Sequence, residues 1–367
     1  MRFSGKASDN KGPRSQPLVS VVTPVYNGAE YLAECIESVL GQTYQRWDYT
    51  IVDNCSNDGT REIALSYAAL DTRIRVVENR QFLRAIPNHN VALRQISPQS
   101  KYCKIVFGDD WIFPRCLEEM VSIAEENPSV GIVGAYGLEE DTITCAGLPY
   151  PSRCVSGRQV CRQLFLEGSY VFGTSTSVLY RSDLVRTRDP FYNESNLHAD
   201  EEACVVLLKT CDFSFVHQIL TFKRMRPDSL TPFTQDFNTM IAGRLHTLVT
   251  HGRDFLSDDE FDRSLHMLLK SYYNFLAVSL MRGRRDRKFW DYHRGKLTAT
   301  VGVFSGTRLA GAVAARLAKA LLNLYETAEK LQEEKSRRKL PGIRPGDLVN
   351  STATPVNGNG VAFLVRE

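Results

Sequence analysis

The chain has 367 residues, of which 43% are hydrophobic, 10% aromatic and 24% charged, a mix that excludes wholesale disorder, a collagen-like repeat and a disulfide-stapled miniprotein. That length is roughly 2.4 domains of ~150 residues, so one large domain with attachments, or two domains, is expected. A formal charge of +3, from 45 basic and 42 acidic residues, is too balanced to predict a nucleic-acid partner.

In chain order, Met1 to Pro17 is polar, has no apolar h-region and does not read as a secretory signal; residues 1–16 are expected to be flexible. Between 18 and 134 short apolar runs alternate with amphipathic segments, the pattern of βα units feeding a mostly parallel sheet. Strands are predicted at Leu18–Thr23, Tyr49–Val52, Ile74–Val77, Tyr102–Phe107 and Val130–Val133, with helices at Glu30–Leu40, Thr60–Leu70, Asn88–Ile96 and Pro114–Glu126. Asn27-Gly28, Asp58-Gly59-Thr60 and Pro114 punctuate helix starts where such residues are tolerated.

From 135 to 235 Gly and Pro are scattered and the periodicity loosens, which predicts an α+β continuation with more loop. Helices follow at Asn238–Phe255, Asp258–Met281 and Leu309–Leu331, a helical appendage over 236–332, and the Pro- and Gly-rich end at 333–367 predicts a flexible tail. The late apolar stretch is interrupted by Arg308, Arg316 and Lys319, so no membrane span is expected. Leu309, Val313, Leu317, Leu321 and Leu324 form a stripe at helical spacing, which fits packing on the domain, self-association, or a peripheral membrane contact. Nine cysteines without a CxxC pair suggest neither a zinc ribbon nor a disulfide framework, and a cytoplasmic setting follows as the simplest compartment.

In open α/β sheets ligands bind off the carboxyl ends of the strands, so the residues that follow each strand carry the candidate chemistry. Asp109-Asp110, after the Val106-Phe107 strand end, is costly to hold near a core without a cation or donors to offset it, which suits Mg²⁺ or Mn²⁺. A solvated turn that caps a helix is the alternative for such a pair. Asp53 ends the second strand and fits either a hydrogen-bond acceptor for a ligand or an Asx turn. Asp200-Glu201-Glu202 opens a helix and fits either a general base or dipole stabilisation of that helix. No GxGxxG follows the first strand and no GxxxxGK[ST] occurs, which disfavours a dinucleotide oxidoreductase and a P-loop phosphoryl transferase.

The run Pro17-Leu18-Val19-Ser20-Val21-Val22-Thr23-Pro24-Val25-Tyr26-Asn27, then Tyr31-Leu32, Ser38-Val39-Leu40-Gly41-Gln42-Thr43-Tyr44 and Ile51-Val52-Asp53-Asn54-Cys55-Ser56-Asn57-Asp58-Gly59-Thr60, resembles the nucleotide-sugar half of family-two glycosyltransferases. The resemblance covers residues 17 to about 232. It implies a GT-A type, Rossmann-like α/β fold: a mostly parallel sheet flanked by helices, with 17–134 as nucleotide-sugar half, 135–235 as acceptor half and a C-terminal helical appendage. It further implies an inverting, metal-dependent transfer from a nucleoside-diphosphate sugar, a UDP-sugar first, to a saccharide or lipid-linked saccharide.

Carried onto this sequence, the resemblance places Pro24 and Tyr26 near the base, Asp53 and Asn54 as its polar contacts, and Arg84 as a phosphate partner. Asp110 becomes the metal ligand, Asp109 a ribose contact or support, Arg224 and Arg226 partners of the leaving diphosphate, and Asp200 the catalytic base. Two positions depart from the family pattern: Phe107 stands where the first Asp of D-x-D is usual, and Asn54 where many relatives have Asp. They leave room for a non-catalytic protein that binds the nucleotide sugar or serves as a scaffold.

Overall fold

The computed structural model describes residues 16–145, 148–225 and 230–338. The strands are β1 (Val19–Val25), β2 (Trp47–Asp53), β3 (Ile74–Glu78), β4 (Tyr102–Ile105), β5 (Trp111–Ile112), β6 (Val130–Glu139), β7 (Thr142–Thr144), β8 (Cys154–Val155), β9 (Val178–Arg181) and β10 (Asp212–Lys223). The helices are α1 (Leu32–Leu40), α2 (Thr60–Leu70), α3 (Ala85–Leu93), α4 (Cys116–Glu126), α5 (Gly157–Glu167), α6 (Ser182–Arg186), α7 (Ala199–Leu207), α8 (Leu230–Asp236), α9 (Thr239–His251), α10 (Asp258–Met281), α11 (Arg287–Val301) and α12 (Gly306–Arg338).

One sheet runs in the order β3-β2-β1-β4-β9-β6-β10-β5, with β7 added to β6 and β8 to β10. β1, β2, β3 and β4 are parallel neighbours, and β10 is parallel to β6. β9 is antiparallel to both β4 and β6, so a strand from the expected acceptor half, 135–235, is inserted between two strands that precede it in the chain. The expected nucleotide-sugar and acceptor halves therefore share one sheet.

Strand side chains alternate between two cores, as the period-two pleat requires. Val19 and Val21 join α1 and α4 on one face, whereas Val22 joins α3, α5 and α7 on the other. In β6, Ile132 and Val133 divide the same way. Residues such as Val22, Ile51 and Ile105 are fully buried, each contributing about 1.5–3 kcal/mol of transfer free energy.

A first compact unit ends at Leu309, and a second begins at Ala310. The division drawn from composition at 235 is thus not a break in packing: α9 and α10 lie against each other and α9 against α7, all within the first unit. Among the described residues no single helix is long and apolar enough to cross a membrane. The segments expected to be flexible, residues 1–16 and 333–367, fall almost wholly outside the described residues.

Candidate active site

The loops after β1 and β2 are laced together by side chains. Asn27 N–H donates to Ser56 Oγ at 3.0 Å, Gly28 N–H to Thr60 Oγ1 at 2.8 Å, Ala29 N–H to Asp58 Oδ2 at 3.0 Å, and Asn57 N–H to Asn27 Oδ1 at 3.0 Å. Ser56, Asp58 and Thr60 are thus turn and cap groups. Asn27, Cys55 and Gly59 adopt φ of 47°, 61° and 93°, a cluster of left-handed backbone held by this lacing.

Asp53 is buried at the end of β2. Its Oδ2 accepts from Ser56 N–H at 3.2 Å, while its Oδ1 is buried with no hydrogen-bond partner. An orphaned acceptor of this kind costs about 1–3 kcal/mol unless a ligand or water supplies a donor. Tyr26 and Phe82, both exposed, meet edge to face at 4.8 Å and present an aromatic platform.

Two of the expected contact residues are engaged by the fold itself. Asn54 Oδ1 accepts from Leu83 N–H at 3.0 Å and Asn79 Nδ2 at 2.8 Å, while its Nδ2 donates to Leu83 O at 2.8 Å. It braces the 79–83 loop rather than offering its amide oxygen to a base. Pro24 is buried within β1, in register with Val52, so its ring is part of the sheet and not a stacking surface. Arg84 is exposed just before α3, and its side chain makes no ion pair among the described residues.

Asp110 is buried after β4. Its Oδ2 accepts from Thr176 Oγ1 at 2.6 Å and its Oδ1 from Arg224 N–H at 3.2 Å. Burial, and then the charge of Asp109, push its carboxyl far above the usual range, against the pull of Thr176, the Arg224 amide and Lys223. Lys104, fully buried in β4, donates to Thr176 O at 2.5 Å and Val178 O at 3.2 Å. It thereby pins the turn that carries Thr176. Arg224 lies beside the carboxylates, its Nε donating to Asp109 O at 3.3 Å. Its guanidinium is within 4.6 Å of the Tyr31 ring centroid and 5.2 Å of the Trp111 one, and is paired with Glu34 at 2.5 Å.

Among the described residues no three His, Cys, Asp or Glu converge as a metal cage. One or two carboxylates with the remaining ligands taken from phosphate and water is the donor set that suits Mg²⁺ or Mn²⁺. Asp109 and Asp110 fit that requirement, their mutual repulsion being what a cation relieves.

Asp200 stands in the first turn of α7, where Glu201 N–H donates to its Oδ1 at 2.9 Å. Desolvation raises its carboxyl to about 6, opposed by these backbone bonds and by the charge of Lys223. The charge of Lys223, itself paired with Glu139 at 3.0 Å, pulls both the Asp110 and the Asp200 carboxyl down. The turn Ser175–Ser177 is anchored on both sides, since Ser175 Oγ lies 2.9 Å from Tyr192 OH while the adjacent Thr176 holds Asp110.

The two remaining acids of the motif do other work. Glu202 collects Asn196 Nδ2 at 2.8 Å and Asn193 Nδ2 at 3.1 Å, with His251 Nε2 3.4 Å away. Glu201 faces α9. Arg226 lies outside the described residues. The sequence reading does not single out Lys104 as a site residue; a lone lysine in the apolar run Tyr102-Cys103-Lys104-Ile105-Val106 is the available signal.

Residues 20–185 match the family model described as Glycosyl transferase family 2. The putative glycosyltransferase EpsE of Bacillus subtilis (strain 168) is 33% identical over 181 residues, covering 47% of this chain and 63% of that relative, so the chain spans less than two thirds of its length. Among solved structures, S. aureus TarS 1-349 in complex with UDP-GlcNAc aligns with a TM-score of 0.57 at 17% identity, covering 77% of this chain and 81% of that one. The mannosyltransferase PcManGT from Pyrobaculum calidifontis, in complex with GDP-Man and Mn²⁺, aligns with a TM-score of 0.51 at 16% identity, covering 88% and 85%. Residues 20–185 are thus similar to glycosyltransferase family 2, and the fold is of the GT-A type.

Proposed function

We propose that this chain is a glycosyltransferase that moves a sugar, with inversion, from a nucleoside-diphosphate sugar to a hydroxyl of a saccharide or lipid-linked saccharide. The observation that carries the reading is the buried Asp53, with its orphaned Oδ1, and the Asp109-Asp110 pair standing at and beyond the carboxyl ends of β2 and β4, the two parallel strands that flank β1. The family match over residues 20–185 supports the reaction class, and the names of EpsE and of the two solved structures are consistent with it.

Asp53 Oδ1 offers an acceptor to the base or ribose, and Tyr26 with Phe82 a stacking face; a UDP-sugar is the first donor to test. Asp110 would hold the divalent cation, with Asp109 beside it, and that cation would neutralise charge on the diphosphate oxygens. Arg84, exposed just before α3, would meet phosphate, and Arg224 would stiffen the carboxylate loop. Asp200 takes the acceptor hydroxyl proton as that oxygen bonds to the sugar C1 and the C1–O bond to the nucleoside diphosphate breaks.

One observation favours a second reading, a protein that binds the donor without turnover: Phe107 removes the first D-x-D carboxylate, and both Asp110 oxygens already accept hydrogen bonds. A screen of nucleoside-diphosphate sugars with Mn²⁺ or Mg²⁺, following nucleoside diphosphate release, separates the two. Cation-dependent release of nucleoside diphosphate from one donor, abolished by Asp110→Ala, supports the transferase. Tight donor binding with no release, with or without saccharide acceptors, supports the second reading.

A further inference from the structure

A cavity of about 330 Å³ lies among the end of α5, α7, α9 and α10, and none of the residues lining it comes from the strand-end loops. That volume sits at the small end of ligand pockets, ~300–1,000 Å³. Its walls include Leu164, Phe165, Leu248 and Leu268, and Met267, 63% exposed, stands at its edge.

Into these apolar walls are set two buried polar atoms that no group among the described residues satisfies. Glu201 is 2% exposed and its Oε2 has no hydrogen-bond partner; Arg244 Nε is likewise buried and unpartnered. Arg244 is near enough to pull the Glu201 carboxyl down against the burial that raises it, yet the two do not close into an ion pair. A buried acceptor and a buried donor held apart across one cavity are what a bridging ligand satisfies. The charged lining is balanced, Glu167 and Glu201 against Arg244 and Arg263, which argues against a phosphate and for a neutral polar molecule.

We propose that this cavity binds a pyranose ring of the saccharide acceptor, one hydroxyl donating to Glu201 Oε2, another accepting from Arg244 Nε, and the C–H face lying on Phe165 and the leucines. The inference rests on the transferase reading for the word acceptor, while the binding itself does not depend on it. Because Glu201 follows Asp200 on α7, the ring held here is a neighbour of the one that reacts and sets which acceptor chains are recognised.

Saturation-transfer NMR on the full chain, with methyl pyranosides of glucose, galactose, mannose, rhamnose and N-acetylglucosamine as probes, tests the site. At least one pyranoside should give a signal that saturates with concentration and persists when UDP and Mn²⁺ are added. Met267→Trp, which covers the mouth from an exposed position, and Glu201→Ala should each weaken it by about tenfold or more. Met267→Trp should leave UDP binding as it was, which shows that the fold is intact. No saturable signal from any probe, or a signal that Met267→Trp does not change, overturns the proposal and leaves the cavity to water. Failure of UDP to bind the unaltered protein would instead count against the donor reading, whatever the pyranosides do.

Discussion

The Thr176 hydroxyl donates to Asp110 Oδ2 at 2.6 Å and accepts the Phe107 backbone N–H at 3.2 Å, so one side chain fixes both the carboxylate and the strand end that delivers it. Thr176→Val keeps the shape, removes both bonds and leaves the half-buried Phe107 N–H and the buried Asp110 Oδ2 unpaired, a cost of about 1–3 kcal/mol. Titration calorimetry with UDP and Mn²⁺ should show affinity falling roughly tenfold, and Thr176→Ser should restore most of it.

If Asp200 is the base, it must be ionised in the free enzyme. Its carboxyl is raised to about 6, so kcat/KM should climb as pH rises through that value and level off above it. Asp200→Asn should abolish transfer. The same shift has a thermodynamic face: a carboxyl raised from 3.8 favours the fold below that value and loses this contribution as pH rises through about 6. Above neutrality Asp200→Asn should therefore melt higher than the parent, by about 1–3 kcal/mol in stability. A variant both inactive and less stable at that pH would remove this account.

Glu202 titrates in the opposite sense. Burial works to raise its carboxyl, but the His246 imidazole 3.5 Å away and the bonds from His251, Asn196 and Asn193 override it and hold the group well below the ordinary value of 4.5. Its contribution is present above about 4.5 and is lost as pH falls below it. The melting temperature of Glu202→Gln should lie below that of the parent near neutrality, and the difference should shrink on acidification. A difference that stays constant with pH would contradict the network.

Gly173 and Gly168 both adopt positive φ, +65° and +73°, but only Gly173 is enclosed. A Cβ there would fall 2.4 Å from Cys145 Sγ and from Ser177 Oγ, whereas at Gly168 its nearest neighbour, Arg244 Nη1, is 4.0 Å away. Gly168→Ala should cost about 1 kcal/mol of backbone strain. Gly173→Ala should cost several, and should also weaken UDP–Mn²⁺ binding, because it displaces the turn that carries Thr176. Equal denaturation midpoints for the two variants would exclude this distinction.

The first half of the fold was legible because each βα unit repeats one signal: an apolar run, a polar turn, an amphipathic helix. β1 to β4 and α1, α2 and α4 fall within a few residues of their predicted places. The two-residue strands β5 and β8 carry too short a pattern to read, and the antiparallel insertion of β9 is set by tertiary packing, not by local sequence. α11 was missed because its polar faces hide a sparse stripe, Phe289, His293 and Leu297. Asp53, Asp110 and Asp200 were readable as carboxylates placed at element ends. Asn54 and Pro24 were assigned by analogy, and only the geometry of the 79–83 loop and of the β1 register shows where their side chains are engaged.

All nine cysteines are free thiols, and only Cys55 and Cys154 are exposed. Burial pushes Cys35 and Cys103 up to about 12 and Cys211 to about 11, which keeps them as unreactive thiols in the native state. The folded chain is thus a two-site substrate for a maleimide, and one of those sites lies two residues beyond Asp53. A fluorophore on Cys55, in a Cys154→Ser background, turns the strand-end loop into its own optical gauge of donor occupancy, while the appearance of seven further thiols times global unfolding.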